Sequence, residues 1–454
     1  MNAVNRRNFL KGSAAATLAV SAFGLKAMAR PSAPHYRVAL IGTGWYGTSD
    51  LLRLIQVADV EVVALCDVDS EQLSKAGKRV SERQKSKKVP KLYKEYKKLL
   101  AETKPDLVLV GTPDHWHPLI MIDAVKSGAH VYCQKPISVD VIEGEAMVAA
   151  ARKYGKVVQV GTQRRSTPFL VQAKENIIEK GLLGKISHVE ICCYYHMRNG
   201  SNPPEQAIPA NLDYEMWTGP APYRPYDGSP HIRWWRAFKE YGNGIMGDMC
   251  VHMLDAVRWC LDLDWPKKIT STGGIYVQKD AKSNISDTQV ANFEFDEMNV
   301  VWTHRTWGAP SNDAYPWSYI FYGDKGTLRC STQQYDFTPV GDGEKIHGEP
   351  IIDGKTYPED MDEERIEIHA ANANRAHLRN FVDAIENNTL PVADILQGHI
   401  STASCIIANI SMELGGRPLV YDPKSMTIVG DHEATQLLNR PYRAPYVHPL
   451  PSNV

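Results

Sequence analysis

The run Tyr36-Arg37-Val38-Ala39-Leu40-Ile41-Gly42-Thr43-Gly44-Trp45-Tyr46-Gly47 decides the fold. Its first six residues are mainly apolar and partly β-branched, and glycine follows at once, which marks a short buried strand. Beyond Gly47, apolar residues at Leu51, Leu52, Leu54 and Ile55 mark a helix. A G-x-G-x-x-G match alone is weak, but the order strand, glycines, helix makes it a candidate dinucleotide-binding turn. Gly42 permits the tight turn, Gly44 lets the backbone approach a pyrophosphate, and Gly47 lets helix and strand pack closely. The helix N-terminus offers free N–H groups and partial positive charge to the phosphates. Thr43, Trp45 and Tyr46 complete the expected cofactor loop.

Outward from this turn, a second strand over 60–66 ends at Asp67, 20 residues beyond Gly47. An acidic residue there accepts the ribose hydroxyls and repels a 2′-phosphate, so NAD is expected over NADP. A plain helix N-cap is the alternative reading of Asp67. Strands over 107–110, 130–133 and 157–160 follow, separated by helical patterns. Each ends in a polar cluster: Thr112-Pro113-Asp114-His115-Trp116-His117, then Gln134-Lys135-Pro136, then Thr162-Gln163-Arg164. This alternation predicts an α/β domain over 36–161, a Rossmann-type doubly wound parallel sheet. Ligands of such sheets bind beyond the carboxyl ends of the strands. Thr112, Pro113, His117, Lys135 and Gln163 are therefore candidate cofactor contacts.

Past residue 162 the rhythm changes. Strand-like runs appear at 186–195, 268–277, 290–295, 300–306, 318–322 and 326–330, with few helices between them. That pattern predicts an α+β domain over 162–454. Periodic helices at about 372–386 and 394–414 are expected to pack the two domains together.

The first 29 residues read as a targeting segment rather than fold. Arg6-Arg7 precedes a small-residue apolar run and then Ala27-Met28-Ala29, a cleavage pattern. Paired arginines before such a run match a twin-arginine export signal, with Asn5 where Ser or Thr is usual. The run is too short for a stable bilayer anchor, so no membrane span is expected in the mature protein. A periplasmic destination follows. Free NAD is not replenished there, so an exported enzyme is expected to hold its NAD tightly and restore its redox state each cycle.

The 454 residues suit two domains. A net charge of −1 argues against nucleic acid or an anionic membrane as partner. Lys75 to Lys98 carries eleven Lys/Arg against two Glu, read as a solvated helix face plus loop. None of the eight cysteines forms a C-x-x-C pair, so no metal is expected. Disulfides stay open, although a fold of this size does not need them.

The glycine loop, Thr112-Pro113-x-x-x-His117, Lys135-Pro136 and a later Asp248-x-x-x-His252 together resemble the glucose–fructose oxidoreductase / inositol dehydrogenase / MocA family. The resemblance runs from about Tyr36 to the last helices. It implies a C-terminal open, mostly antiparallel sheet that covers the cofactor domain and commonly pairs subunits as a homo-dimer or homo-tetramer. It also implies that Lys135 touches substrate and shares proton transfer, with Asp248 and His252 pointing at the reacting carbon. Gln134 departs from the family's Glu at that position. If the chain is helical from Met246, Asp248 and His252 fall on one face.

The chemistry needs such groups. Hydride leaves a carbinol carbon only as its hydroxyl proton is removed, a task that suits His252. The Lys135 cation would stabilise developing alkoxide. An aromatic and polar mixture including Arg233 and Trp235, with Arg164 and Tyr194 as further candidates, suits a carbohydrate cleft. The expected activity is NAD-dependent oxidation of a sugar or glycoside. One alternative is a redox glycosidase, which oxidises a ring carbon, eliminates the aglycone and returns the hydride. The chain lacks the Thr-His-Gly segment expected of exported N-acetylgalactosaminidase relatives. A second alternative is a non-catalytic sugar-binding protein.

Overall fold

The computed structural model describes residues 35–194, 202–361 and 368–454. The expected signal segment, residues 1–29, lies outside the described residues.

Strand β1 (Tyr36–Ile41) lies inside a six-stranded sheet with β2 (Val60–Cys66), β3 (Lys91–Tyr93), β4 (Leu107–Val110), β5 (His130–Cys133) and β6 (Val158–Val160). The order is β3-β2-β1-β4-β5-β6 and every pairing is parallel. The chain builds outward from β1 to one edge and then crosses back to place β4 on the other side. That reversal opens the crevice in which ligands of such sheets sit. The side-chain period of two along β1 sends Val38 and Leu40 to one face and Ala39 and Ile41 to the other. The first face packs on Leu51 and Leu54 of the helix Trp45–Val57, and on Leu378 and Phe381 of a helix 330 residues further along the chain, Ile368–Glu386. The late helix thus completes a layer of the first sheet. Each such fully buried side chain contributes about 1.5–3 kcal/mol.

The basic run from Lys75 to Lys98 is more ordered than a helix face and a loop. It contains the end of the helix Ser70–Arg83, the edge strand β3, and the start of the helix Tyr96–Thr103. Lysine on a short edge strand discourages pairing with another sheet. The sequence reading missed β3 because three residues, two of them exposed, carry almost no periodicity.

The second sheet has eight strands: β7 (Ile186–Cys193), β8 (Lys268–Gly274), β9 (Thr288–Glu294), β10 (Asn299–Arg305), β11 (Trp317–Gly323), β12 (Gly326–Ser331), β13 (Tyr335–Pro339) and β14 (Ile346–Gly348). Their order is β14-β13-β12-β11-β7-β10-β9-β8. Only β7 and β10 pair in parallel. One face is apolar: Val189, Ile191, Phe293, Val300 and Trp302 pack against Leu254 and Val257 of the helix Val251–Leu261 and Ile406 and Ile407 of the helix Ile395–Glu413. All eight cysteines are free thiols. No helix among the described residues is long and apolar enough to cross a membrane.

Candidate active site

A cavity of about 700 Å³ opens where the carboxyl ends of the parallel strands face the second sheet. Gly42, Gly44, Trp45, Tyr46, Asp67, Thr112 and Pro113 line one part of it. Lys135, Gln163, Arg164, Arg233, Trp235, Asp248 and His252 line another.

The first part is made largely of backbone. Gly42 has φ +90°, and a Cβ there would lie 2.5 Å from Gly111 C and Thr112 N. A Cβ on Gly47 would lie 2.3 Å from the Gly42 carbonyl oxygen. Gly44 differs, because a Cβ there would meet nothing within 4 Å, so its open side faces space. The helix that starts at Trp45 has no side-chain cap at its N-terminus. Thr112 Oγ1 and Gln163 Oε1 are buried with no hydrogen-bond partner among the described residues. A glycine cradle, an uncapped helix start and two orphaned polar atoms fit the pyrophosphate and amide groups of a dinucleotide. Gln163 also donates from Nε2 to the Tyr46 hydroxyl at 2.7 Å.

Asp67 closes this part. Its Oδ2 accepts the Thr43 amide at 2.7 Å and the Thr43 hydroxyl at 3.0 Å, while Oδ1 accepts the Asp69 amide at 2.9 Å. Burial pushes the Asp67 carboxyl above its ordinary range, and these donors offset only part of that. The N-cap of the following helix is Asp69, which accepts from the Glu71 and Gln72 amides, so the helix-cap reading of Asp67 fails. Thr43 and Gly47 support the cavity from behind rather than lining it.

The loop after Asp67 is tied to a distant segment. Asp69 bridges to Leu212, Ser70 N–H donates to the Asn211 carbonyl at 2.9 Å, and Asp213 N–H donates to the Val68 carbonyl at 3.0 Å. Asn211 Nδ2 reaches Asp69 Oδ1 at 2.9 Å, and His231 Nε2 lies 3.4 Å from Asp69 Oδ2. Further on, Trp116 Nε1 donates to the Met216 and Trp217 carbonyls. Met216, Trp217, His231, Trp234 and Trp235 line the same cavity as Asp67. The aromatic run in the sequence therefore forms both a small core (Tyr214, Trp217, Tyr226, Tyr241) and a roof over the candidate cofactor cleft.

The second part of the cavity is made of charges brought from far apart. Lys135, in the Lys135–Pro136 cis turn after β5, donates to Asp248 Oδ1 at 2.7 Å and to the Asp248 carbonyl at 2.8 Å. Burial pulls the Lys135 ammonium below its ordinary pKa, and Asp248 only partly offsets this. Burial alone would raise Asp248, but Lys135 and Arg236 outweigh it and hold the carboxylate below its usual range. Burial, then the charges of Lys135, Arg164 and Arg236, push His252 well below its ordinary pKa, so the ring is neutral at pH 7. Its Nδ1 is buried without a partner among the described residues. Asp248 does not sit in an ordinary α-helix. It lies in a single π-helical turn, Met246–Cys250, that runs into the helix Val251–Leu261. Such turns frequently mark functional sites. Both Asp248 and His252 still reach the cavity.

Gln134, the departure from the family's Glu, donates to Asp50 Oδ2 at 2.5 Å. Asp50 is fully buried in the helix Trp45–Val57, and desolvation raises its carboxyl to about 7, with Gln134 and Arg53 opposing. Gln134 thus lines the cavity with Asp50 bonded behind it.

Two expected contacts are not made. His117 is buried with Nδ1 2.8 Å from the Pro136 carbonyl and Nε2 2.9 Å from the Thr112 carbonyl, so it braces two loops and does not line the cavity. Tyr194 lies outside the cavity, its ring covered by the Arg305 guanidinium at 4.4 Å. Arg233 lines the cavity but is exposed. Sequence reading overlooked Arg236, Asp114 and Trp317. Asp114 lay within a strand-end cluster and Arg236 directly after Trp235, so position was the available signal. Away from the cavity, Asp140, Glu143 and His448 bring ligand-type atoms within 4.8 Å of one another. They are engaged in the capping box of the helix Val141–Lys153 and in the hydrogen bond from His448 to Asp140.

Comparison with known proteins fits this geometry. Residues 36–162 match the model of an oxidoreductase family with an NAD-binding Rossmann fold, and residues 170–295 match that family's C-terminal α/β domain. Residues 3–23 match a twin-arginine translocation signal. A glycosyl hydrolase family 109 protein of Shewanella baltica (strain OS185) is 27% identical over 225 residues, covering 44% of this chain and 48% of the relative. Inositol 2-dehydrogenase of Salmonella agona (strain SL483) is 31% identical over 186 residues, covering 40% and 52%. The chain spans about half the length of the curated relatives it matches. Among solved structures, levoglucosan dehydrogenase in complex with NADH and levoglucosan superposes with a TM-score of 0.64 at 16% identity, covering 85% of this chain and 99% of that one. An oxidoreductase from Agrobacterium radiobacter with NAD⁺, L-tartaric acid and magnesium gives 0.64 at 17% identity, covering 85% and 98%.

Proposed function

Because the chain belongs to the Gfo/Idh/MocA oxidoreductase family, with an NAD-binding Rossmann domain, its C-terminal partner domain and a twin-arginine signal, we propose that it is an exported, NAD-dependent oxidoreductase of a sugar or glycoside. The observation that carries this reading is the meeting of Lys135, Asp248 and His252 in the same cavity as Gly44 and Asp67. NAD held by the glycine loop and Asp67 would supply the acceptor for a hydride from a carbinol carbon of the substrate. The neutral His252 ring takes the hydroxyl proton as that hydride leaves. Lys135, held by Asp248, places its ammonium beside the developing alkoxide. Asp248 also offers a carboxylate to a neighbouring hydroxyl. Arg164 and Trp235 supply the polar and apolar contacts that a sugar ring presents to a cleft.

Asp67 favours NAD over NADP by accepting ribose hydroxyls. The roof formed by Met216, Trp217 and His231, tied to Asp69, supports a cofactor that stays bound. A periplasmic enzyme with resident NAD needs a second step that reoxidises the cofactor. The second reading, a redox glycosidase, draws on that requirement and on the family 109 relatives.

The test is absorbance at about 340 nm when a panel of sugars and glycosides is added to the NAD-loaded protein. Lys135→Ala and His252→Ala should each keep bound NAD(H) and lose turnover by roughly 10²–10⁴-fold. Wild-type turnover in either variant would remove that residue from the mechanism.

A further inference from the structure

Arg236 stands at the junction of the two carboxylates nearest the reacting centre. It lies in the short turn Trp235–Ala237 and lines the cavity. Its Nε is 3.2 Å from Asp248 Oδ1 and its Nη2 is 3.4 Å from Asp114 Oδ1. The guanidinium lies over the Trp235 indole, 4.2 Å from the ring centroid. Asp114 is fully buried, and neither of its carboxylate oxygens has a hydrogen-bond partner among the described residues. Its ion pair with Arg236 is therefore its main compensation. Burial still raises the Asp114 carboxyl, with Arg236 the strongest opposing charge.

Lys135 donates a hydrogen bond to Oδ1 of Asp248, and the Arg236 guanidinium faces the same oxygen as an ion pair rather than as a hydrogen bond. Oδ2 makes no hydrogen bond to any described residue. A lysine ammonium is a compact charge on a flexible stem and does not by itself set the plane of a carboxylate. A guanidinium is a rigid fork, and here it is fixed by an indole on one side and a second carboxylate behind it. We infer that Arg236 is the positioning residue of this site: anchored by Asp114 and Trp235, it holds Asp248 Oδ1 and leaves Oδ2 to a substrate hydroxyl. The inference rests on the proposed carbohydrate-oxidising role of the cavity.

The same cation has a second effect. The charged or titratable groups around His252 are Lys135, Arg164, Arg236 and His377, with Asp248 in the preceding turn. Each cation disfavours protonation of the ring. Removing Arg236 lets His252 take up a proton at a higher pH.

The experiment uses full-length protein loaded with NAD and follows the His252 ring by histidine-selective NMR across pH. NADH fluorescence reports cofactor binding independently. In Arg236→Gln the His252 titration should move to higher pH, because one of the cations that disfavour its protonation is removed. NADH binding should stay within about twofold, a change of less than half a kcal/mol. Arg236→Lys should restore the His252 titration, since the charge returns. It should not restore turnover of whichever panel sugar reduces the wild-type cofactor, since the fork does not return. Should Arg236→Gln fail to fold, Asp114→Asn retains the arginine and loosens its anchor, and it should lower kcat while leaving NADH binding unchanged. Wild-type turnover in Arg236→Gln, or full turnover in Arg236→Lys, overturns the role of Arg236 and leaves the cofactor site standing. Failure of the wild-type protein to bind NADH takes both down together.

Discussion

The cofactor end and the reacting end of the cavity are built from different materials. At the cofactor end the decisive groups are absences: no Cβ on Gly42, Gly44 or Gly47, and no capping side chain on the helix that follows. At the reacting end they are full-length polar side chains: residues 114, 135, 236 and 248, held by ion pairs at 2.7–3.4 Å, and the neutral ring of His252. A backbone cradle fails all at once when a side chain intrudes. A charge network loses function in graded steps, because each member is partly compensated by the others.

That contrast can be broken most severely at Gly42. Gly42→Ala places a Cβ 2.5 Å from two backbone atoms at a φ of +90°. The strain at such a position is roughly 1–3 kcal/mol before any clash is counted. NADH fluorescence should show no binding, and thermal unfolding should occur at a lower temperature. A Gly42→Ala protein that binds NADH like wild type would mean that the cradle is not the cofactor site. A smaller effect is expected at the cradle's acidic side chain. Asp67→Asn weakens hydrogen bonds to a charged group, each about 1.5–3 kcal/mol, so NAD binding should fall by roughly ten- to a hundredfold. NADP binding should change far less, which narrows the gap between the two cofactors. An unchanged preference would assign the discrimination elsewhere.

The same contrast explains what the sequence could and could not reveal. The turn from Tyr36 to Gly47 is contiguous, and its function follows from which residues lack side chains, so its role could be read directly. The strand ends at Thr112, Lys135 and Gln163 were readable because topology sends every carboxyl end to one side. The ion network was only half visible. Lys135, Asp248 and His252 stood out through a family pattern. Arg236 did not, because its importance comes from Asp114, 122 residues earlier, and Asp248, twelve later. His117 misled for the opposite reason: a histidine at a strand end suits a ligand contact, yet both ring nitrogens are drawn to loop carbonyls. The helix Ile368–Glu386 was legible as a helix, but not as a layer of the first sheet, since nothing local records its partner 330 residues away.

The central claim is that the cradle and the charge network serve one reaction in one cavity. Its most direct test is isotope transfer. NAD-loaded protein is incubated with carbon-deuterated sugars and glycosides, denatured, and the released cofactor weighed by mass spectrometry. The account predicts deuterium on the nicotinamide with at least one carbohydrate in the wild-type protein and none in Lys135→Ala. Bound cofactor that stays unlabelled with every carbohydrate, or equal labelling in the Lys135→Ala protein, would contradict it.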